Sequence, residues 1–350
     1  MSRSARRTQG GATVQDVARA AGVSAMTVSR VVNGGSNVRE ATRKAVLAAV
    51  AELSYRPNTA ARSLAAGGAT QIGLLYSNPS AGYLGQFLIG ALESARRVGC
   101  HLVLEACADD SPAAQTEAVR QLIDAAVGGV ILPPPLSESA TVQAALADAE
   151  IPWAAIAMGA QGPGTLNVRI DDHAAARAMT LHLIDLGHRD IAFIRGHSNQ
   201  LASAKRERGF LAAMAERGID TADLTIEQGW FTYRSGIDAA TRILGGKRRP
   251  TAIFASNDDM AAAAVGVAHR HGLHVPDDLS IVGFDDTAIA TSIWPELTTI
   301  RQPIADMAEA AITMLLYRLR ERDGEDRAAE EEVLPHLLII RDSSAPPPAR

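Results

Sequence analysis

Asp-Asp pairs punctuate the chain, among them those at 171–172, 258–259, 277–278 and 285–286, and three histidines, His269, His271 and His274, crowd one short stretch. Paired carboxylates can divide acid and base work between them, and clustered histidines can ligate zinc. Neither pattern reaches that chemistry here. The histidines have no cysteine or carboxylate partner at ligand spacing, and Asp-Asp pairs commonly cap helices or shape turns. No Walker loop, nucleophile elbow or glycine-rich phosphate loop occurs, and no nucleophile stands beside a base. The expectation is a chain that is not an enzyme and uses no cofactor or metal. The stretch "GVSAMTVSRVVNG" at 22–34 suits different work: a glycine turn, a capping serine, then a short helix that fits a DNA groove.

Charge supports that division. The 350 residues carry a net charge of −5, but residues 1–66 hold ten Lys/Arg against three Asp/Glu, a balance of +7. The remainder holds 24 basic and 36 acidic residues, a balance of −12. A basic head on an acidic body implies that the head alone meets a polyanion. The two cysteines, Cys100 and Cys107, argue against a disulfide scaffold and fit a reducing cytoplasm. No apolar run approaches the ~18 residues needed to span a bilayer, and no apolar stretch follows the N-terminal arginines as a signal peptide requires.

The head reads as four helices. The first runs from about Val14 to Ala21, and Ser24 caps a second that ends near Asn33. A third spans about Arg39 to Leu53, with Val46, Val50 and Leu53 at helical spacing. Pro57 blocks continuation, and "TAARSLAA" reads as a short fourth helix ending at Gly67-Gly68. From Thr70 the texture changes. "QIGLLY", "HLVLEA", "GGVILP", "PWAAIAM", "DIAFIRG", "TAIFAS" and "LSIVGFDD" are strands alternating with amphipathic helices. Such alternation predicts parallel sheets covered on both faces, divided between two similar lobes. "ELTTIRQP", a helix from about Ile304 to Arg322 and a strand "VLPHLLII" are too few for a third lobe. They are expected to cross back and complete both sheets, with 321–332 as a charged connection.

A helix, a short turn and a second helix make a helix-turn-helix, whose second helix presents its first residues to base edges. The run from Thr13 to Gly67, with "LIDLGHRDIAFIRG", "FASNDDMA", "VPDDLSIVGFDD" and "WPELTTIRQP" in the body, resembles the lactose/galactose repressor family of bacterial transcription regulators over roughly residues 12–341. The fold implied is an all-α helix-turn-helix head with a hinge helix, joined to an α/β two-lobed body of the type I periplasmic-binding-protein kind with parallel sheets. The resemblance places Thr13, Ser24, Thr27, Ser29, Asn33, Asn37 and Thr42 where the family contacts phosphates or positions the reading helix. It places Arg30 at a base edge, where a guanidinium pairs with guanine O6 and N7. Ala25 and Met26 occupy positions that vary with operator choice. Neither hydrogen-bonds usefully, and both can pack on a thymine methyl; inward packing of Met26 is the alternative. In the hinge, Asn58 caps the helix, Leu64 matches a leucine wedged into the minor groove, and small Ala61 and Ala65 allow close approach.

For the body, the resemblance implies a ligand cleft lined by Tyr83, Arg206, Phe231, Asn257, Asp285 and Gln302. Arginine, aspartate and amide groups at an edge, with an aromatic face, are what a polyol needs. Phe231 has an alternative place in the core, and Asp285 in a turn. Trp230 stands where family members often carry an acidic residue; a second aromatic either widens the stacking surface or packs under a lobe.

The implied protein is a cytoplasmic, nucleoid-associated, ligand-switched regulator. It is expected to repress carbohydrate-utilisation genes, binding a palindromic operator as a homodimer with a sugar or glycoside as effector. Purine-responsive repression is the alternative within the family, and a solute-binding protein outside it. The absence of leucine heptads after "LLIIRDSS" argues for a dimer rather than a tetramer. The expected divisions are a disordered 1–11, the helix-turn-helix over 12–56 and the hinge and linker over 57–69. The effector and dimerisation domain covers 70–342, with lobe 1 at about 70–186 and 302–331 and lobe 2 at about 187–301 and 332–342. A disordered tail over 343–350 completes the division.

Overall fold

The computed structural model describes residues 14–24, 27–28, 31, 40–52, 70–159, 165–320 and 330–348, in two compact units that divide between Ala69 and Thr70. In the first unit, α1 (Val14–Ala21) and α2 (Glu40–Glu52) pack together. Val17, Val28, Val31 and Val46 close its small core, with Val17, Val28 and Val46 fully buried. Gly22 turns the chain at φ +65°, a left-handed conformation that side chains resist. Ser24 then accepts from Thr27 N–H at 3.2 Å, satisfying a donor that a helix start leaves free, and Thr27, Val28 and Val31 are helical. The expected fourth helix and hinge lie outside the described residues.

The second unit begins with β1 (Gln71–Tyr76), α3 (Ala81–Val98), β2 (His101–Ala106), α4 (Pro112–Asp124) and β3 (Gly129–Leu132). A short 3-10 turn at Leu136–Glu138 leads to α5 (Ala140–Asp148), β4 (Trp153–Ile156), β5 (Leu166–Arg169) and α6 (Asp172–Asp185). The pattern repeats through β6 (Ile191–Arg195), α7 (Leu201–Glu216), β7 (Ile226–Gln228), α8 (Tyr233–Leu244), β8 (Ala252–Ala255), α9 (Asp258–Arg270) and β9 (Ser280–Val282). The chain ends with β10 (Thr299–Arg301), α10 (Ile304–Arg320), β11 (Glu330–Val333) and β12 (Leu337–Ile339). One sheet has strand order β11-β5-β4-β3-β1-β2 and the other β7-β6-β8-β9, every pairing within them parallel. Buried apolar runs such as Gly129–Leu132 and Ala252–Ala255 suit strands covered on both faces. Among the described residues no helix is long and apolar enough to cross a membrane.

The crossing-back has more parts than expected. "VLPHLLII" is not one strand. Glu330–Val333 joins the first sheet beside β5, and Leu337–Ile339 pairs antiparallel with β10. Acidic residues inside a strand are tolerable here because β11 is an edge, and Glu331 is paired with Arg169 at 2.6 Å. Two further strands, β5 and β7, gave no sequence signal; "LNVR" buries a polar Asn167, and "IEQ" is only half-buried. The tail expected to be disordered from 343 needs correction. Ser343 is fully buried: Ile281 N–H donates to its carbonyl at 2.8 Å, and its hydroxyl accepts from Thr298 N–H at 2.9 Å. Ala345 N–H donates to Ser280 Oγ at 3.0 Å, and His188 Nε2 donates to Ala345 O at 2.9 Å. A serine-proline composition reads as solvated chain, but here the backbone finds partners in the second lobe.

Candidate functional site

Of the head residues expected to meet DNA, Ser24, Thr27 and Thr42 are described. Ser24 and Thr27 hydroxyls lie 2.9 Å apart at the start of the second helix, and Thr42 sits half-exposed in the first turn of α2. Thr13, Ala25, Met26, Ser29, Arg30, Asn33, Asn37, Asn58, Ala61 and Leu64 lie outside the described residues.

Parallel strands point their carboxyl ends, and the loops that follow, toward one edge of a sheet, where α/β folds gather ligands. Both lobes do this toward each other. Asn78, Ser80 and Tyr83 follow β1, Pro134 follows β3 and Ala157 follows β4. From the other lobe come Gln200 and Arg206 after β6, Phe231 after β7, Asn257 after β8 and Asp285 after β9, with Gln302 after β10. Together they line a cleft between the lobes, the place where such folds take small ligands. All six residues expected in the cleft therefore lie on one wall system.

Arg206 is the electrostatic centre. It is 5% exposed, its Nε donates to Asp172 Oδ1 at 2.8 Å, and its Nη1 donates to Ser256 O at 2.6 Å. Its guanidinium lies 3.7 Å from the Phe284 ring centroid and 5.7 Å from that of Phe231, cation–π distances. Asp285 Oδ1 is 3.7 Å from Arg206 Nη1 and accepts from Gln302 Nε2 at 2.6 Å. Burial outweighs these partners and pushes the Asp285 carboxyl up to about 7 from its ordinary 3.8. The folded chain therefore holds a proton there that an unfolded chain releases above pH 3.8. The stabilisation is complete below that value and vanishes as pH rises through about 7. Thermal melting of the unliganded chain is expected to fall from pH 6 to pH 8. Asp285→Asn should flatten that part of the profile; an unchanged slope in the variant would assign the effect to another group.

Phe231 serves both the second lobe's core and the cavity wall, so its two readings are compatible. Its backbone is left-handed, at φ +60°, and Asn257 Nδ2 holds its carbonyl at 3.0 Å. Asn257 Oδ1 meanwhile caps α9 by accepting from Met260 N–H at 3.1 Å. Asn257 thus spends one donor and one acceptor on positioning, more than a freely presented ligand contact does. The Phe231 ring rests where a side chain on Gly196 belongs: a Cβ there falls 1.9 Å from Phe231 Cζ. Gly196→Ala is expected to displace the ring and lower stability by about 1–3 kcal/mol, a typical overpacking cost. Phe231→Leu in the same chain should recover part of the loss in a melting experiment, because the smaller side chain vacates the space.

Two buried donors in the wall have no hydrogen-bond partner among the described residues, the Tyr83 hydroxyl and Gln200 Nε2. Buried polar groups are normally satisfied, and both residues line the cleft, where a bound molecule could accept from them. Burial raises the Tyr83 phenol far above its usual range, so it stays a protonated donor. Gln200 and Asp172 were not singled out as cleft residues. Gln200 reads as a solvated loop residue in "HSNQLA", and Asp172 is one member of several similar Asp-Asp pairs. Their only early signal was position, just after a strand end.

The same pairs show how varied that dipeptide is. Asp171 caps α6 by accepting from Ala174 N–H at 3.0 Å. Asp258 accepts from Thr299 Oγ1 at 2.6 Å and Thr287 N–H at 2.8 Å. Asp278 accepts from His274 N–H at 2.8 Å in a turn. Asp259 reaches across the cleft to accept from Ser80 Oγ at 2.6 Å, and Glu138 crosses the other way to accept from Leu201 N–H at 2.9 Å. These two contacts fasten the lobes together on either side of the cavity. Trp230 does not line that cavity. It is 43% exposed and stands edge-on to the His197 ring, centroids 4.9 Å apart.

Comparisons with known proteins agree with this arrangement. The description "Bacterial regulatory proteins, lacI family" matches residues 13–58, and a "Periplasmic binding protein-like domain" matches residues 180–344. The chain is 34% identical over 329 residues to the HTH-type transcriptional repressor PurR of Photobacterium profundum, covering 94% of this chain and 97% of that one. It is 33% identical over 335 residues to the catabolite control protein A of Priestia megaterium, covering 95% and 99%. Among solved structures, a complex of the transcriptional regulator CelR with cellobiose has a TM-score of 0.72 at 29% identity, over 95% of this chain and 99% of that one. The Lac repressor dimer bound to operator and the anti-inducer ONPF has the same score and identity, over 96% and 100%. With a reading head, a two-lobed α/β body and full-length relatives of this kind, the chain belongs to the lacI family of bacterial regulatory proteins, the ligand-responsive DNA-binding repressors.

Proposed function

We propose that the chain represses carbohydrate-utilisation genes from a palindromic operator. It binds there as a homodimer, in the cytoplasm, and a small sugar or glycoside in the interlobe cleft switches it. The observation that carries the effector reading is the cavity itself. An aromatic face, Phe231, stands opposite a charged edge of Arg206 and Asp285, with unpartnered donors on Tyr83 and Gln200. Polyols offer apolar C–H faces and hydroxyl edges that match this set. The likeness to the CelR–cellobiose complex supports it. The walls come from both lobes, so a ligand that binds one lobe arrangement better shifts the population toward it. The head then changes its grip on DNA through the residues between the units.

The effector roles fall on Tyr83, Arg206, Phe231, Asp285 and Gln302, with Asn257 as a positioning residue. The DNA roles stay with the head and hinge residues named above, over 12–56 and 57–69. Purine-responsive repression is the second reading, favoured by the 34% identity to PurR. A thermal-shift screen of sugars, glycosides and purines separates the two, because specific binding raises the melting temperature by mass action. A sugar that raises melting should also change affinity for a selected palindrome by about 5–150-fold, the range of ordinary allosteric coupling. Stabilisation by purines alone, or no coupling to DNA, would overturn the sugar reading.

A further inference from the structure

Two contacts bind one lobe to the other, and each sits at the start of a helix that carries a cleft residue. Glu138 of the first lobe accepts from Leu201 N–H at 2.9 Å at the head of α7, the helix that bears Arg206. Gln200, at the capping position of α7, makes no side-chain cap of its own. A helix start leaves its first N–H groups unsatisfied, so the opposite lobe supplies the acceptor that this one lacks. The second contact mirrors the first. Ser80 caps α3 by accepting from Tyr83 N–H at 3.3 Å. Its hydroxyl donates at 2.6 Å to Asp259, in the first turn of α9, the helix that Asn257 caps.

Packing independently shows that the lobes are fitted in this arrangement. The Leu201 side chain lies against Gly159 of the first lobe, where an added Cβ falls 2.4 Å from Leu201 Cδ1 and 2.7 Å from Leu201 Cβ. A glycine is needed for the lobes to come this near. The effect on the cleft is seen in exposure. Tyr83, Arg206, Phe231, Asn257, Asp285 and Gln302 are each 6% exposed or less, so a ligand reaches them only when the lobes part. Holding the arrangement carries a cost, because burial raises the Glu138 and Asp259 carboxyls above their ordinary values. Parting the lobes recovers that cost, so a ligand can undo the fastening.

We infer that Glu138, Asp259 and the Gly159–Leu201 contact form a self-latch that competes with the effector. The latched arrangement shields the cleft, and the effector binds the arrangement in which both contacts are released. This rests on the reading of the cleft as the effector site, whatever the ligand's class. A ligand that binds only released chains has its apparent affinity reduced by the fraction that is latched. Residues that never touch the effector thereby set the concentration at which it acts.

Hydrogen exchange and calorimetric titration of the full chain test the latch in three variants. Glu138→Met and Asp259→Ala each remove one carboxylate, while Gly159→Ala removes none and wedges the lobes apart. The informative amides lie across the cleft from each change, since losing a cap alone frees only its own helix. Glu138→Met should speed exchange at the start of α3, and Asp259→Ala at the start of α7, each about tenfold, with the Ala252–Ala255 strand still protected. Gly159→Ala should speed both. Glucose, galactose, cellobiose, lactose, hypoxanthine and guanosine serve as probes. Any of them that binds the parent is expected to bind each variant about threefold or more tightly, because fewer chains are latched. Operator affinity of the ligand-free variants should shift in the direction in which that probe moves the parent. Exchange that quickens only beside the altered residue, or weaker probe binding by both Glu138→Met and Gly159→Ala, would overturn the latch. Tighter binding of hypoxanthine or guanosine alone would support the latch and overturn the sugar reading. If none of the six binds parent or variant, the exchange result by itself decides the latch.

Discussion

Replacing Arg206 with methionine is expected to cost the folded chain about 3–5 kcal/mol, the usual penalty for orphaning a buried ion-pair partner, and to abolish effector binding. The magnitude follows from what the guanidinium holds. Its Nε–H satisfies Asp172, its Nη1–H satisfies the Ser256 carbonyl, and its charge stands 3.7 Å from Asp285. Methionine fills much of the same volume, so the loss is electrostatic rather than a cavity. The cation that favours the charged form of Asp285 is then gone, and that form is populated only above about pH 7, so the destabilisation should be larger at pH 8 than at pH 5. Adding Asp172→Asn to Arg206→Met should restore part of the stability by removing one orphaned charge, yet restore no effector binding. Arg206→Lys should rescue little of either, because a point ammonium cannot reproduce a planar fork that bonds two oxygens and stacks on Phe284. Urea unfolding at the two pH values, with calorimetric titration of the effector, checks each part. An Arg206→Met chain as stable as the parent would overturn the ion-pair account.

The second large effect concerns DNA. Raising salt from 50 to 200 mM is expected to weaken binding to a selected palindrome by roughly 10³–10⁵-fold, if a dimer neutralises about 6–10 phosphates. Two heads, each with ten basic and three acidic residues in its first 66, carry enough charge for that count. The acidic body cannot contribute, so the slope belongs to the head. Arg30→Ala should behave differently, costing about 1–3 kcal/mol and relaxing preference at one base pair in each half-site. Met26→Gln should change which bases are preferred nearby, since an amide reads adenine edges and a thioether only packs. Fluorescence anisotropy across a salt series, with selection from random DNA, measures all three. A nearly flat salt dependence would overturn the electrostatic account.

What could be read in the residues followed burial. "QIGLLY", "GGVILP" and "TAIFAS" were legible as strands because parallel strands covered on both faces are apolar runs. "LNVR", "IEQ" and "EEEV" were not, because short strands with half-buried or ion-paired side chains lose that signature. In the cleft, Arg206, Phe231 and Asp285 were reached through their motifs. Gln200 was missed since the cleft it lines takes part of its wall from Asn78, Ser80 and Tyr83, more than a hundred residues away. Nor does spacing reveal that identical Asp-Asp dipeptides cap, latch, turn and pair. Those roles are assigned by neighbours that only the folded topology supplies.

The late segments carry a consequence for how the molecule is made. The first sheet takes its edge from Glu330–Val333, where Glu331 meets Asn167, 164 positions earlier in the chain. The second lobe is pinned by Ala345, which meets His188 from 157 positions away. Contacts so distant in sequence form slowly, after loop closure has been met. A ribosome delivers residues in order, so both lobes wait for the end of translation before their last strands and tethers arrive. The head, whose valine core lies within residues 17–46, has everything it needs long before. The reading part of the regulator can thus be finished while the sensing part is still open chain.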